Sequence, residues 1–420
     1  MIRLIVLLVC IVGAAFLFLS HSKKEEPVVA AIKTDTLSTV EQDLPVFKTD
    51  DPEWNQLFTR YDEFIQHGID INLAPGAAVA IIKDSTIIYL KGFGYRNTST
   101  KDLVDTRTVF RLGSVSKCFA SVLSGVLVQE NIFSWDDPVT RYTPTFALKS
   151  KEQTDAVLLR HLLSHTTGLP YHSFTNLIEE GQPLDTMVYH LRELNLLGKP
   201  GQLYSYQNVA YSIIGQVIQA ATGKTYEEVM QEKIFSPLGM THASLNYNKL
   251  MAEKNAAKPH RYTQKGWITQ PFSSTYYNVG PAGGINASIS DMALFLTSLT
   301  REDHSLLDSA RQQQIFQPSV RATAKNRYFW NWKRPLSSYY GLGWRVINFK
   351  DDVVNYHGGY VNGFRSEIAI HRKDGIAICV LVNAPGQLAD QAIPEFFKQY
   401  DQLRIAHARR NDMTPKVAGQ

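Results

Sequence analysis

Three short stretches of the sequence carry residue types that can perform covalent catalysis. The first is Ser114-Val115-Ser116-Lys117, in which a lysine follows a serine by three positions at the start of an apolar run. Residues three apart lie on one face of a helix, so the Lys117 amine can approach the Ser114 hydroxyl. A lysine desolvated at this place loses part of its basicity and can accept the hydroxyl proton. Ser114 is therefore a candidate nucleophile and Lys117 a candidate base.

The four-residue pattern by itself is not specific. Ser20-His21-Ser22-Lys23 has the same spacing beside the N-terminal apolar run, and a serine before a helix is often only an N-cap. Context favours Ser114, because it follows a predicted hairpin and opens an apolar helix.

Tyr206 and Asn208 form a second candidate, with the spacing Tyr-x-Asn. They lie in KPGQLYSYQNVAYSIIGQVI, where a Pro-Gly turn precedes the tyrosine and an amphipathic helix pattern follows it. A tyrosine that projects from such a loop between positive charges can act as general base and general acid. The spacing alone means little, since it also occurs at Tyr95/Asn97, Tyr276/Asn278 and Tyr360/Asn362.

The third candidate is His357-Gly358-Gly359, in the strand pattern DVVNYHGGYVNGFRS. Two glycines allow a substrate backbone to approach a strand edge. The N–H that follows them, at Tyr360, can stabilise an oxyanion together with the Ser114 N–H. His357 is expected to offer a proton or a positive charge to the cleft, although a histidine before two glycines can also be an ordinary turn.

In this order, the three stretches match the Ser-x-x-Lys, Tyr-x-Asn and Lys/His-x-Gly boxes of penicillin-recognising enzymes. The sequence resembles the serine β-lactamase and D-Ala-D-Ala peptidase superfamily, and within it the class C β-lactamase-like branch, over about residues 60 to 400. Stretches typical of that branch are VFRLGSVSK, DDPVTRYTP, LLRHLLSHTTGLP, PGQLYSYQNVAYSIIG, IFSPLGMTHAS and PAGGINASISDMALFL.

The resemblance implies a role for each candidate residue. Ser114 would be the acylated nucleophile, Lys117 and Tyr206 would handle its proton, and Asn208 would bind the substrate amide. His357 would stand where β-lactamases carry lysine. No metal and no cofactor is implied. The remaining substrate-binding residues would be Gly358, Gly359 and Tyr360.

His357 decides which reaction is expected. The pattern His-x-Gly is more typical of related D,D-peptidases, aminopeptidases and esterases than of β-lactamases. We therefore expect a serine hydrolase that acts on acyl-D-amino-acid amides such as peptidoglycan stem peptides, with β-lactams as mimics. An esterase acting on short acyl esters would use the same residues. A hypothesis of another class is a penicillin-binding or sensor module that is acylated without turnover.

Three histidines, His161, His165 and His172, could be interpreted as zinc ligands. A helical metalloprotease pair carries Glu directly after its first histidine, where this sequence has Leu162. The resemblance instead implies that this stretch ends a helix, with Gly168 stopping it and His165 bonding to backbone, so no metal site is predicted.

The elements that must position these residues follow from the periodicity of the chain. Residues 76–97 have the pattern of two strands joined around Lys83-Asp84-Ser85, and β-branched strand patterns return after residue 338. Helical stretches punctuated by Pro and Gly lie between them. This order predicts an α+β, β-lactamase/transpeptidase-like fold, with an antiparallel sheet flanked by helices and an inserted, mostly helical domain. The domain would span residues 52–405, with the sheet from 52–110 and 338–405, the insert at about 111–300, and a flexible tail at 406–420.

The N-terminus predicts export. Arg3 precedes an apolar run from Leu4 to Leu19, and Ser20-His21-Ser22 offers small residues at the positions that a signal peptidase reads. Residues 1–22 are therefore a signal peptide or a membrane anchor, followed by a linker at residues 23–51. The protein is expected in the periplasm, either anchored by residues 4–19 or released after cleavage.

Charge and cysteine content exclude other classes of protein. A net charge of +4 is small for 420 residues, and no basic face is legible, so no nucleic-acid partner is expected. Cys118 and Cys379 fall in separate apolar runs, which indicates buried thiols rather than a disulfide framework. The expected partners are a small-molecule or peptidoglycan-type substrate and, if the leader is retained, a membrane.

Overall fold

An antiparallel sheet built from both ends of the chain organises the fold. The computed structural model describes residues 44, 46, 49–300, 306–322, 331, 332, 335–350 and 352–413. The strands are β1 (Gly76–Lys83), β2 (Thr86–Asn97), β3 (Asp102–Leu103), β4 (Val109–Arg111), β5 (His260–Thr263), β6 (Gly266–Thr269), β7 (Asn286–Ser288), β8 (Val320–Arg321), β9 (Ser337–Tyr340), β10 (Arg345–Asn348), β11 (Val353–Val361), β12 (Phe364–His371) and β13 (Ile376–Val382). The α-helices are α1 (Pro52–Asp70), α2 (Ser116–Gln129), α3 (Lys151–Ala156), α4 (Leu159–Leu163), α5 (Thr175–Glu179), α6 (Leu184–His190), α7 (Asn208–Thr222), α8 (Tyr226–Met230), α9 (Ser236–Leu238), α10 (Tyr247–Ala252), α11 (Gly280–Gly283), α12 (Ile289–Thr300), α13 (Ser309–Phe316) and α14 (Gln387–Met413).

The main sheet joins early and late strands of the chain. Its order is β3-β2-β1-β13-β12-β11-β10-β9-β8, and β1, from the start of the chain, runs antiparallel to β13, from its end. Two small two-stranded sheets, β4-β7 and β5-β6, lie apart from it. The elements from α2 to α12 are mostly helical. The predicted α+β fold, with an antiparallel sheet and a helical insert, is therefore confirmed.

The first hairpin of the sheet follows directly from its turn residues. Asp84 and Ser85 join β1 to β2 with φ angles of +46° and +66°. A two-residue hairpin turn of type I′ needs this left-handed backbone at both positions, and Asp tolerates it well. The predicted pair of strands around these residues is confirmed.

Helices cover both faces of the sheet. On one face, Leu57, Tyr61 and Ile65 of α1 recur every four positions and are fully buried, as expected for the apolar stripe of a surface helix. The Tyr61 hydroxyl donates to the Ala392 carbonyl of α14 at 2.8 Å, which ties these two helices together. The other face is covered by α12, which packs against β1 and β13.

Helix α2 is buried on all sides. Every residue from Ser116 to Leu127 is buried, which explains why the helix is apolar around its circumference rather than on one stripe. Phe119 stacks on Phe295 of α12, and Ser121 donates a hydrogen bond to the Leu342 carbonyl. The N-terminus of α2 is thereby held at a fixed place inside the molecule.

Three details differ from the expected boundaries. Strand β4 pairs with β7 instead of joining the main sheet, and β8 joins the main sheet although it precedes residue 338. Helix α14 continues to Met413, into the segment predicted to be a flexible tail. Ion pairs from Arg410 to Glu53 (2.9 Å) and Asp51 (3.3 Å) fasten this last part of α14 to the start of α1.

The leader lies outside the described residues. This holds for the apolar run at residues 4–19 and for most of the linker, so their boundaries stay predictions. Among the described helices, none combines the length and the apolar character needed to cross a membrane. Cys118 and Cys379 are free and buried, as predicted.

One glycine of β11 is required by a close approach of two backbones. A Cβ on Gly359 would overlap the Leu112 carbonyl oxygen and the Ser366 hydroxyl. We expect Gly359→Ala to lower the free energy of unfolding by about 2–3 kcal/mol, the usual cost of overpacking. Urea denaturation measures this change.

Gly239→Ala is the matched control for that substitution. Gly239 ends α9 with a φ of +70°, and nothing lies within 4 Å of its missing Cβ, so only the left-handed backbone costs about 1 kcal/mol. A loss for Gly359→Ala no greater than for Gly239→Ala would contradict the close approach.

Candidate active site

Ser114 lies on the 3₁₀ turn Gly113–Val115, which leads directly into α2. Gly113 has a φ of +50°, and a Cβ there would come within 2.8 Å of the Tyr360 carbonyl oxygen of β11. Glycine tolerates both the left-handed backbone and this contact. The turn therefore lies directly against β11, which sets Ser114 beside the edge of that strand.

The Lys117 amine lies one helical turn after the serine and is completely buried. Its Nζ is 3.3 Å from Ser114 Oγ and 2.8 Å from each of two further acceptors, Asn208 Oδ1 and the Ala282 carbonyl oxygen. Asn208, predicted to bind the substrate amide, is thus engaged with the lysine and is only 4% exposed. The contacts fix the amine beside the serine hydroxyl.

The surroundings of Lys117 favour its neutral form. Burial lowers the pKa of its amine well below the usual range; the nearby thiol of Cys118 acts in the opposite direction, and the positive charge of Arg345 lowers the pKa further. A neutral amine has a lone pair for the proton of Ser114. Lys117 can therefore act as the base that activates the serine.

Tyr206 approaches the serine from the loop that precedes α7. Its hydroxyl donates to Ser114 Oγ at 2.9 Å, and Lys117 Nζ lies 4.7 Å from the centre of its ring. Its side chain is buried. Because the phenol touches the nucleophile and neighbours the amine, Tyr206 can transfer a proton to or from the reacting atoms.

His165 holds this loop in place. Its ring centre is 4.2 Å from that of Tyr206, and its Nδ1 accepts the Gln207 N–H at 3.2 Å. Burial lowers the pKa of His165 well below the usual range, so the ring is neutral and can accept. The predicted bond of His165 to backbone is confirmed. His161 is engaged separately, since its Nδ1 accepts the Leu158 N–H at 3.1 Å.

His357 lies within β11 but lacks the predicted cationic character. Its Nδ1 is 2.9 Å from the Gly358 carbonyl oxygen and its Nε2 is 3.0 Å from the Tyr340 hydroxyl. Burial lowers its pKa well below the usual range, and repulsion by the positive charge of Arg345 lowers it further. A neutral ring protonated on Nδ1 accepts the Tyr340 hydroxyl at Nε2. The expected proton or positive charge for the cleft is therefore replaced by a neutral ring that orients Tyr340.

The edge of β11 brings two backbone amides together. A Cβ on Gly359 would lie 3.1 Å from the Ser114 nitrogen, and one on Gly113 would lie 3.0 Å from the Tyr360 nitrogen. The hairpin of β11 and β12 closes through a two-residue turn, and residues of β11 bond alternately to β12 and away from it. This alternation directs the Tyr360 N–H toward the open edge. The arrangement fits the predicted pair of oxyanion donors.

Gly358 is required for a different reason, which the sequence did not indicate. A Cβ there would come within 2.7 Å of the Glu367 carboxylate. Glu367 is buried and pairs with Arg365, which also reaches Asp390 of α14 at 2.7 Å. The missing side chain of Gly358 therefore makes room for an ion-pair network behind the site. Tyr360, in contrast, has an exposed side chain that a substrate can contact.

Sequence reasoning missed two side chains of the site, Tyr340 and Arg345. The Arg345 guanidinium is buried, with its Cζ 6.0 Å from the ring centre of Tyr206 and 5.8 Å from that of Tyr340. One signal was available, because an arginine inside the otherwise apolar run YGLGWRVIN indicates a buried charge with a specific purpose.

The chain matches a known family over most of its length. The family described as Beta-lactamase matches residues 61–397. The chain is 24% identical over 350 residues to Protein flp of Staphylococcus aureus (strain NCTC 8325 / PS 47), covering 83% of this chain and 66% of that protein. It is 26% identical over 349 residues to the unguisins hydrolase ungD' of Aspergillus campestris, covering 80% and 64%. The chain thus spans about two thirds of the length of these relatives.

A solved structure has the same fold. The octameric penicillin-binding protein homologue from Pyrococcus abyssi matches with a TM-score of 0.71 and 24% identity. The match covers 84% of this chain and 80% of the other.

The contact between Tyr206 and Ser114 generates a first prediction for the site. We expect Tyr206→Phe to lower the rate of Ser114 acylation by an amide substrate by about 10²-fold or more, the scale of general acid/base catalysis. Tyr61→Phe is the control, since it removes a buried hydroxyl bond on the far face of the sheet. That control should lose about 1 kcal/mol of stability and keep its rate. Full activity in Tyr206→Phe would assign the proton transfer to another group.

The buried amine of Lys117 generates a second prediction. Because the lysine must be neutral to accept a proton, and its pKa is lowered, labelling of Ser114 by a fluorophosphonate should rise with pH and level off well below pH 10.5. Lys117→Arg keeps a positive charge that is not released in this range, so it should be labelled slowly at every pH. A rate in the unaltered protein that still climbs through pH 10.5 would show an ordinary lysine.

Proposed function

Because the chain belongs to the β-lactamase family, we propose that it is a serine hydrolase that forms an acyl-enzyme on Ser114. The observation that carries this proposal is the contact of Ser114 Oγ with both the Tyr206 hydroxyl, at 2.9 Å, and the buried Lys117 amine, at 3.3 Å. A nucleophile in contact with a base and an acid is the arrangement that acyl transfer requires.

The acylation step follows from these contacts. Ser114 Oγ attacks the carbonyl carbon of the substrate, and its proton passes to the neutral amine of Lys117. The carbonyl oxygen becomes an oxyanion and accepts hydrogen bonds from the N–H groups of Ser114 and Tyr360. As the carbonyl re-forms, the bond to the leaving group breaks and Tyr206 donates its proton to that group.

Deacylation repeats the step with water as the nucleophile. The protonated Lys117 gives its proton to the phenolate of Tyr206, so both groups regain their starting forms. Water then attacks the acyl carbon and gives up a proton to the pair of Lys117 and Tyr206. The bond from the acyl carbon to Ser114 Oγ breaks, and this oxygen takes a proton from the same pair. Each proton that leaves one atom is accepted by a named neighbour.

The favoured substrates are acyl-D-amino-acid amides of the D,D-peptidase type, with β-lactams as mimics. An amide leaves as an amine and needs a proton, and the Tyr206 hydroxyl stands where it can supply one. A short ester with a stable leaving group needs this proton less, so the same residues also support esterase activity. Two of the similar proteins are named a penicillin-binding protein homologue and an unguisins hydrolase, which supports a hydrolase that accepts penicillin-like mimics.

The proposed place of action is the periplasm. Arg3 and the apolar run at residues 4–19 support export, and a peptidoglycan-type substrate lies outside the cytoplasm. On this proposal the N-terminal segment either anchors the enzyme to the membrane or is removed by cleavage.

The test is the intact mass of the full-length chain over time, in detergent, with three compounds supplied separately. These are a fluorescent penicillin, an N-acyl-D-Ala-D-Ala peptide and a short p-nitrophenyl ester. We expect a Ser114 adduct with penicillin and release of D-alanine from the peptide. Ser114→Ala should form no adduct and melt at nearly the same temperature.

Other outcomes redirect the proposal. A persistent penicillin adduct without peptide turnover would favour the non-turnover sensor module. Hydrolysed penicillin would indicate a β-lactamase, and ester turnover without either reaction would indicate an esterase. Unaltered turnover in Ser114→Ala would remove the nucleophile assignment.

A further inference from the structure

A buried arginine, Arg345, lies close to the ring of Tyr206. Arg345 is the first residue of β10, and its side chain is only 6% exposed. Its guanidinium lies near two aromatic rings, 6.0 Å from the centre of Tyr206 and 5.8 Å from that of Tyr340. Because it is buried to this degree, Arg345 does not contact a substrate directly, and any effect that it has on the reaction acts through neighbouring side chains.

The charged and titratable groups around Tyr206 come from several elements. Lys117 faces it from α2, the histidines face it from the loop between α4 and α5, and Tyr340 and Arg345 face it from β9 and β10. The ring contacts of Tyr206 are with His165 (4.2 Å), His172 (5.3 Å), Tyr171 (6.3 Å) and Tyr340 (6.5 Å).

Most of these groups are neutral when the site is ready to react. Burial lowers the pKa of His165 and of His172. His357 is neutral for the reasons given above, and Lys117 must be neutral to act as the base. A guanidinium stays protonated in proteins. Among these described groups, Arg345 is therefore the one with a permanent positive charge.

We propose that Arg345 is a positioning residue for the acyl-transfer reaction, and that its permanent charge keeps the Lys117 amine beside Ser114 in its deprotonated, reactive form. This inference rests on the proposed function. On this proposal Arg345 supplies the positive charge that was expected from His357. The positive charge disfavours protonated Lys117 and stabilises the negative charge that develops on the Tyr206 oxygen after it has given its proton to the leaving group.

The sign of the effect follows from the base. A nearby cation favours the deprotonated form of an amine. Loss of the Arg345 charge must therefore move the rising limb of the pH–rate profile to higher pH. Lys117 Nζ and Arg345 Cζ lie 4.7 Å and 6.0 Å from the centre of the Tyr206 ring, so they are no more than about 11 Å apart. Within that distance, at an effective dielectric constant of about 20, the shift is about one to two pH units.

The experiment measures the rate of Ser114 labelling by a fluorophosphonate against pH, in the full-length chain in detergent. Arg345→Met and Arg345→Gln remove the charge in two different ways. We expect the rising limb to move up by about one to two pH units in both variants. Thermal melting and circular dichroism identify which variants are folded.

Arg365→Met is the matched control. Arg365 is also a mostly buried arginine of the sheet, but it pairs with Glu367 and with Asp390 of α14 on the opposite side. Its replacement should lower the melting temperature and leave the limb in place. An equal shift in Arg365→Met would overturn the inference, because the effect would then report disturbed packing and not charge.

The same labelling experiment separates the role of Arg345 from the proposed function. If the unaltered protein is labelled at Ser114 and the neutral variants have the same rising limb in their pH–rate profiles, only the role of Arg345 is removed. If the unaltered protein is not labelled at any pH, the acyl-serine proposal fails and the role of Arg345 fails with it.

Discussion

The exclusion of water from the Lys117 amine is the constraint on which the rest of the site depends. A charged amine taken out of water costs several kcal/mol unless it is paired, and a buried lysine escapes this cost by releasing its proton. The acceptors that hold the amine come from three places: the turn before α2, the first residue of α7, and the carbonyl of Ala282 in α11. These three elements therefore have to meet at one point, and a shift of any of them would admit water and restore the basicity of the lysine.

Close approach of backbones is the second constraint. The turn that carries Ser114 lies directly against β11, and side chains at Gly113 or Gly359 would separate the two. An oxyanion pocket made of backbone N–H groups has little tolerance for displacement, because a hydrogen bond weakens steeply outside a narrow range of distance and angle. The glycines therefore matter to the reaction through the spacing that they allow between the helical and the sheet parts of the protein.

The sequence predicted the parts of the site that are local and missed those that depend on tertiary packing. Ser114 and Lys117 could be paired because three residues of helix bring them together, and the hairpin at Asp84-Ser85 could be predicted because its turn chemistry is local. The character of His357 could not, because its neutral state arises from burial and from Tyr340 and Arg345, whose positions depend on the pairing of β9, β10 and β11.

The same division holds for the fold. The order of strands and helices follows from periodicity, and it gave the α+β class. The end of α14 could not be predicted in this way. It is held by ion pairs of Arg410 with residues at the start of α1, and these join positions at opposite ends of the domain. Pairing of β4 with β7 is equally non-local, so propensity along the chain carries no information about it.

The pairing of β1 with β13 has a consequence for how the protein is made. The seven residues of β1 from Ala77 to Lys83 pair on one side with the adjacent strand β2 and on the other side with Ile376 to Val382. The second set of pairs is long-range and forms late, because closing a large loop costs entropy before any contact is gained. A ribosome that has synthesised the nucleophile and the base has not yet produced the strand that closes the sheet. The enzyme is therefore latent throughout its own synthesis, and a chain truncated before β13 would leave the apolar edge of β1 open to aggregation.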